Sequence, residues 1–229
     1  FCLSRGLGDV YKRQIIGGLY SSTATISVLA RKSRKASEQE ATDYVAAMLL
    51  AVSMMFLRFM ILILIFSREI FLSIYPYLLT MAVVAAIVAW FIHSRQKRSN
   101  DQPVEEEEDD SSNPLEFKVA LIFAILFVIF TFLTHYTLVY AGTGGLNLLS
   151  FVSGFSDITP FILNLLQNTG SVAALIITAC SMQAIISNIM VNMFYALFFA
   201  GKGSKLRPWI LGGFGVVIAC NLVLLLFFY

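Results

Sequence analysis

Apolar residues run along this chain in blocks too long for a β-strand and too continuous for the surface helix of a soluble domain. Seven blocks stand out, at residues 15–30, 42–66, 70–92, 115–140, 146–166, 172–200 and 208–229, labelled A to G in order. A helix needs about 20 apolar residues to cross the hydrocarbon core of a bilayer. Backbone polar groups in lipid must be satisfied within the segment, which makes helices the natural spanning element. A membrane barrel would show short strands of alternating polarity instead. The pattern predicts an all-α fold: a polytopic transmembrane helical bundle of seven segments, with the lipid bilayer as its main partner.

Polar residues collect between the blocks. Residues 94–114 open basic, with Arg95, Lys97 and Arg98, and turn acidic at 105–110. Such a run cannot bury surface and reads as a disordered cytoplasmic linker. It divides the chain into residues 15–93 and 115–229. Within segment C, Ala82 and Ala86, and Ala85 and Ala89, have the small-xxx-small spacing that lets helices approach closely in lipid.

The two halves resemble each other. GLYSSTATISVLA from Gly18 aligns without gaps on GFSDITPFILNLL from Gly154, matching Gly with Gly, Thr23 with Thr159, Ile26 with Ile162 and Leu29 with Leu165. Ser53 and Arg58 in segment B have the spacing of Ser187 and Asn192 in segment F. Segments A, B and C thus read as a copy of E, F and G, with the counterpart of D expected upstream. A and E are the two interrupted members, broken at Gly18, Gly154 and Pro160. Glycine weakens a helix and proline cannot donate a backbone bond. Paired broken segments in two halves point to a transporter's binding site. The plainer reading is a pair of kinked structural helices whose Ser and Thr bond back to the preceding turn.

Basic clusters set the orientation. The rule that positive loops stay inside puts the A–B loop, the head of the linker and the F–G loop in the cytoplasm. All three fall inside only if A and E are re-entrant. If every segment spans, the F–G loop falls outside. Segment E is long enough to span, so full but broken spans are the expected arrangement.

Composition agrees with a membrane protein: 58% hydrophobic and 13% charged residues, with a mean hydropathy of +0.79, against about 25% charged in a soluble domain. The net charge of +2 gives no electrostatic footprint for nucleic acid. Cys2, Cys180 and Cys220 have no metal or redox spacing. No Ser-His-Asp set, P-loop or dinucleotide fingerprint occurs, so neither an enzyme nor a cofactor is expected. No metal site is expected either; His135 lies beside Tyr136 and Tyr140 and reads as part of an interfacial belt. Residues 8–14, GDVYKRQ, back-translate as the end of a transposase adapter used in sequencing libraries. Residues 1–14 are excluded from fold reasoning on that ground.

Ionisable residues within membrane segments are rare and costly, and each is a functional candidate. Asp157 lies in the broken part of E and Arg58 midway along B. The sequence places them at a polar cavity with Ser21, Ser22, Thr23, Thr159, Ser187 and Asn188. A buried ion pair that only fixes helix packing is the competing reading.

The stretch GGLYSSTATISVLARKS resembles the Gly-Gly-Leu-x-Ser-Ser-Thr-Ala-Thr signature of bacterial MgtC/SapB-type membrane proteins, in the domain of unknown function that follows their MgtC domain. SGFSDITPFILNL resembles that domain's second signature, Gly-Leu-x-Asp-x-Asp-x-Ile-Thr, and ISNIMVN its Ser-Asn-Thr-x-x-Lys element. The resemblance implies a multi-pass protein of the bacterial inner membrane, with an upstream MgtC domain as partner in the intact chain, and leaves a homo-oligomer open. Thr159 stands at the second acidic position and Asn192 at the basic one, so a mechanism needing two carboxylates or that lysine does not carry over. The functional expectation is translocation of an ion or small solute; the alternative is a regulatory or accessory module that binds another membrane protein.

Overall fold

The computed structural model describes residues 22–34, 38–94, 114–168, 172–201 and 206–228. All regular structure among them is helical. In chain order the helices are α1 (Ser22–Lys32), α2 (Glu38–Phe66), α3 (Arg68–Ser94), α4 (Pro114–Tyr140), α5 (Gly142–Ser153), α6 (Ile158–Gln167), α7 (Ala174–Ala200) and α8 (Arg207–Phe228). Among the described residues, four stretches are by length and composition able to cross a membrane: Thr42–Phe66, Arg68–Ser94, Ala174–Ala200 and Arg207–Leu226. They correspond to segments B, C, F and G. Gly18, Ser21, the adapter-like stretch and most of the acidic linker lie outside the described residues.

The chain forms two compact units, Gln102–Asn188 and the remainder. In the larger, α2 and α3 pair as a hairpin joined by Ser67 alone, whose hydroxyl accepts from the Ile70 amide at 3.4 Å. Ala82, Ala85 and Ala89 are buried on α3. These small residues let the backbones approach closely enough for the Ser53 hydroxyl on α2 to donate to the Ala82 carbonyl at 2.8 Å. At the far end His93 and Asp43 meet at 2.8 Å. Pro76 lies inside α3; the Thr80 hydroxyl donates to the Pro76 carbonyl at 2.6 Å.

α8 closes this unit through Gly213, where a β-carbon would come within 2.8 Å of Leu49 and 3.1 Å of Ile92. Deeper in, the Tyr77 hydroxyl of α3 donates to the Asn221 side-chain carbonyl of α8, both residues being fully buried. The C-terminal turn of α1 meets that of α7. The Arg31 guanidinium lies 4.4 Å from the centre of the Phe199 ring. Arg34 packs on Gly201, whose φ of 89° ends α7 in the left-handed conformation glycine adopts without strain.

The smaller unit holds α4, α5, α6 and the first half of α7. Segment E is not one helix here but two, of 12 and 10 residues, separated at residues 154–157. At about 1.5 Å per residue neither reaches the ~30 Å of a hydrocarbon core, so the expected full span is not built from a single rod. α5 also starts earlier than the glycine-rich stretch suggests. Only Ala141 separates it from α4, and Gly142 turns the corner with φ 58°. Gly144 and Gly145 belong to the first turn of α5 rather than to a loop. Gly145 is required there: a β-carbon would come within 2.7 Å of the Thr137 methyl group.

Ser53 and Ser187 hold equivalent places in the two halves of the sequence. Both donate to a carbonyl of a neighbouring helix, but Ser53 reaches segment C, at Ala82, and Ser187 reaches segment E, at Phe151.

Candidate functional site

The interruption between α5 and α6 is held against the middle of α7. α5 ends where Gly154, Phe155 and Ser156 turn back, donating their amides to the carbonyls of Phe151, Val152 and Ser153 at 3.1–3.3 Å. Carbonyls at the end of a helix have no partner within it and must find one elsewhere. The side chains of α7 add a second donor at the Phe151 carbonyl and a donor at the Gly154 carbonyl. The Ser187 hydroxyl donates to the Phe151 carbonyl at 2.7 Å. The Asn188 amide donates to the Gly154 carbonyl at 3.2 Å. Gly154 itself has an ordinary helical φ of −60°, so no strained backbone demands glycine. Close approach does. A β-carbon at Gly154 would fall inside the Ser187 side chain and 2.8 Å from the Asn188 amide nitrogen.

Asp157 opens α6 as its N-cap. It has extended backbone, and its carboxylate accepts from the Thr159 amide at 2.9 Å. That satisfies one of the free amides at the helix start and places a negative charge at the positive end of the dipole. Asp157 is exposed and Thr159 half-buried. Pro160 stands in the first turn of α6, where its missing N–H costs nothing, so the interruption lies at 154–157 and Pro160 follows it.

Sequence reasoning thus named three residues that meet, Gly154, Ser187 and Asn188, and two that form the adjoining cap, Asp157 and Thr159. The other candidates lie elsewhere. Ser22 is buried and Thr23 half-buried on α1, where the Thr23 carbonyl accepts from Ser27 at 2.8 Å. Arg58 is half-buried on α2, with its guanidinium 5.1 Å from the centre of the Phe59 ring. Arg58 belongs to the larger unit and Asp157 to the smaller.

Several contributors were not singled out from sequence. Along the α5–α7 seam, the Cys180 thiol faces the Asn147 side-chain oxygen at 3.4 Å and the Ser150 hydroxyl faces the Gln183 side-chain oxygen at 3.1 Å. From α6, the Asn164 amide donates to the Thr131 hydroxyl of α4 at 2.8 Å. The available signal was spacing: Asn147 and Ser150 are three apart on one helical face.

The smaller unit has a polar interior. Of thirteen buried polar residues among those described, eight lie in it: Thr134, Ser150, Ser153, Asn164, Thr178, Ser181, Ser187 and Asn188. The hydroxyls of Thr134, Thr178 and Ser181 are buried with no hydrogen-bond partner among the described residues. A buried hydroxyl left unpaired costs roughly 1–3 kcal/mol. Thr178, Ser181, Asn188 and Asn192 recur at intervals of three and four or their sums along α7, which puts them on one face. No group of three or more His, Cys, Asp or Glu able to hold a metal ion occurs among the described residues.

A model of the family described as "Domain of unknown function (DUF4010)" matches residues 11–200. An uncharacterized protein of Aquifex aeolicus (strain VF5) is similar over 223 residues at 25% identity, covering 96% of this chain and 95% of that protein. No solved structure matches the chain.

Proposed function

The chain belongs to the DUF4010 family, and we propose that it is a multi-pass membrane domain that moves a small polar solute or ion along a path built around the α5–α6 interruption. The observation that carries this reading is the polar interior of the smaller unit. Helices with strongly apolar sequences turn Thr134, Thr178 and Ser181 inward, with no hydrogen-bond partner for their hydroxyls among the described residues. Polar groups at such depth are costly and belong with a passing ligand or water. Irregular backbone at membrane depth is tolerated where it is buried in protein or lines a water-filled cavity. Residues 154–157 supply such backbone beside the polar face of α7.

A second reading has its own support. Ser187 and Asn188 pair with the carbonyls of the interruption, as they would in a break that serves packing alone. On that reading the domain is an accessory module that binds another membrane protein. The resemblance to the domain following MgtC in bacterial inner-membrane proteins supports such a partner.

Water access separates the two. In membranes carrying the full chain with its three cysteines replaced by alanine, S181C is treated with a charged methanethiosulfonate reagent. Modification from either face of the membrane is expected of a conducting path. A thiol that stays unmodified from both faces, in protein that is modified at an exposed control site such as K32C, means a dry interior. The accessory reading then replaces transport.

A further inference from the structure

We infer that α5 and α6 form a re-entrant hairpin, which enters the membrane from the face opposite the cytoplasm, reaches mid-depth at residues 154–157 and returns to the face it came from. The contacts of α5 with α7 fix its direction. Asn147 meets Cys180, Ser150 meets Gln183, Phe151 meets Ser187 and Gly154 meets Asn188. Residue numbers rise together, so α5 runs parallel to α7 and starts at its N-terminal end.

Ser187 and Asn188 stand halfway along the 27 residues of α7, about 20 Å below its first residue at a rise of about 1.5 Å per residue. From that depth α6 can descend further or return. A descent over 10 residues would add about 15 Å and leave its end roughly 35 Å from the start of α7. Residues 168–173 must bridge that distance. The seven extended steps from Gln167 to Ala174 reach at most about 25 Å. The Val172 amide donating to the Asn168 carbonyl at 3.1 Å shortens the reach further. The chain closes only if α6 returns.

Charge decides which face this is. At the C-terminal end of α7, Arg31 stacks on Phe199 and Arg34 packs on Gly201, and the sequence continues through Lys202, Lys205 and Arg207. Arginines from far upstream thus meet that end, and the sequence that follows it is basic; the positive-inside rule puts such an end in the cytoplasm. Residues 141–173, which hold the hairpin and both its connections, contain no lysine or arginine. The N-terminal end of α7 is then the outer one, and the tip at residues 154–157 is reached from outside.

The inference rests on α7 spanning the membrane, as the proposed function requires, and one experiment tests the two separately. Single cysteines G144C, at the start of α5, and Q167C, at the end of α6, are placed in the cysteine-free full chain, with K32C as the basic-end marker. A membrane-impermeant maleimide is added to intact cells and to permeabilised ones. Gly144 has open space at its β-carbon and Gln167 is exposed, so both sites can take the thiol; A141C and N168C stand in if either variant fails to accumulate. The expected result is labelling of both hairpin ends in intact cells and of K32C only after permeabilisation. Labelling of the two ends from opposite faces, or of both only after permeabilisation, overturns the hairpin. Labelling of all three without permeabilisation removes the membrane-spanning premise instead.

Discussion

Gly154 approaches Ser187 so closely that a side chain on the glycine would occupy the space of the serine. The contact joins the end of α5 to the middle of α7 and fixes the level at which the chain breaks. Because the Gly154 backbone is helical, the requirement for glycine is purely one of space. G154A should therefore overpack the seam and lower stability by about 1–3 kcal/mol. Thermal unfolding of the detergent-solubilised protein reads the change. The double variant G154A/S187G should recover only part of it, because the Asn188 backbone nitrogen stays 2.8 Å from the added carbon.

Ser187 and Asn188 act as caps supplied by another helix. S187A leaves the Phe151 carbonyl with the Gly154 amide alone, and N188A takes the side-chain donor from the Gly154 carbonyl, each at about 0.5–1.5 kcal/mol. The expected signature is local. Amide hydrogen exchange should accelerate at residues 154–157 while the α2–α3 hairpin keeps its protection. A uniform loss of protection would mean that the two side chains hold the whole bundle rather than the break.

Asp157 separates capping from charge. D157N keeps an oxygen that can accept from the Thr159 amide at the position Asp157 now fills, and should leave thermal stability within a few tenths of a kcal/mol. D157A removes the cap and should cost about 1 kcal/mol. If the carboxylate also serves translocation, D157N should reduce flux in reconstituted vesicles without a change in stability. Equal flux in wild type and D157N would confine Asp157 to capping.

In the larger unit, the Tyr77 hydroxyl and the Asn221 side chain are buried together between α3 and α8. Y77F should cost about 1–3 kcal/mol by leaving the Asn221 oxygen unpaired. In a double-mutant cycle, Y77F with N221L should be less damaging than the sum of the single changes, since both partners of the bond are then apolar. The Asn221 amide also donates to the Val217 carbonyl at 3.0 Å, an intrahelical bond that N221L gives up as well.

The helices were largely legible because membrane crossing is a matter of local length and polarity. Residues 42–66, 70–92, 172–200 and 208–229 read as segments, and the helices end within a few residues of those limits. The interruption of segment E was legible at Gly154 because a glycine, an acid and a proline within seven residues are out of place in a continuous apolar helix. Which of them makes the break was not. Pro160 reads as a breaker anywhere inside an apolar run, yet in a first turn it has no intrahelical bond to lose. The glycines at 142, 144 and 145 fall between blocks D and E and so read as a connection, whereas Gly145 is there for the close approach of Thr137.

Tertiary pairings lay beyond local patterns. The spacing of Ser187 and Asn188 marks a polar stripe but does not say that one bonds Phe151 and the other Gly154. Arg31 and Arg34 read as a loop cluster, and nothing local tells that they meet Phe199 and Gly201 some 170 residues later. Such partners are chosen by how helices pack, and a single sequence carries that only as a set of compatible surfaces.

The most direct measurement is a cryo-electron microscopy structure of the intact protein in a lipid nanodisc, read at residues 154–157 and along the Thr178–Ser181–Asn188 face of α7. The expected result is a broken hairpin at mid-depth with ordered water or ion density reaching Ser181. A continuous helix through residues 142–167, or a break packed dry on all sides by apolar side chains, would contradict a conducting path through this domain.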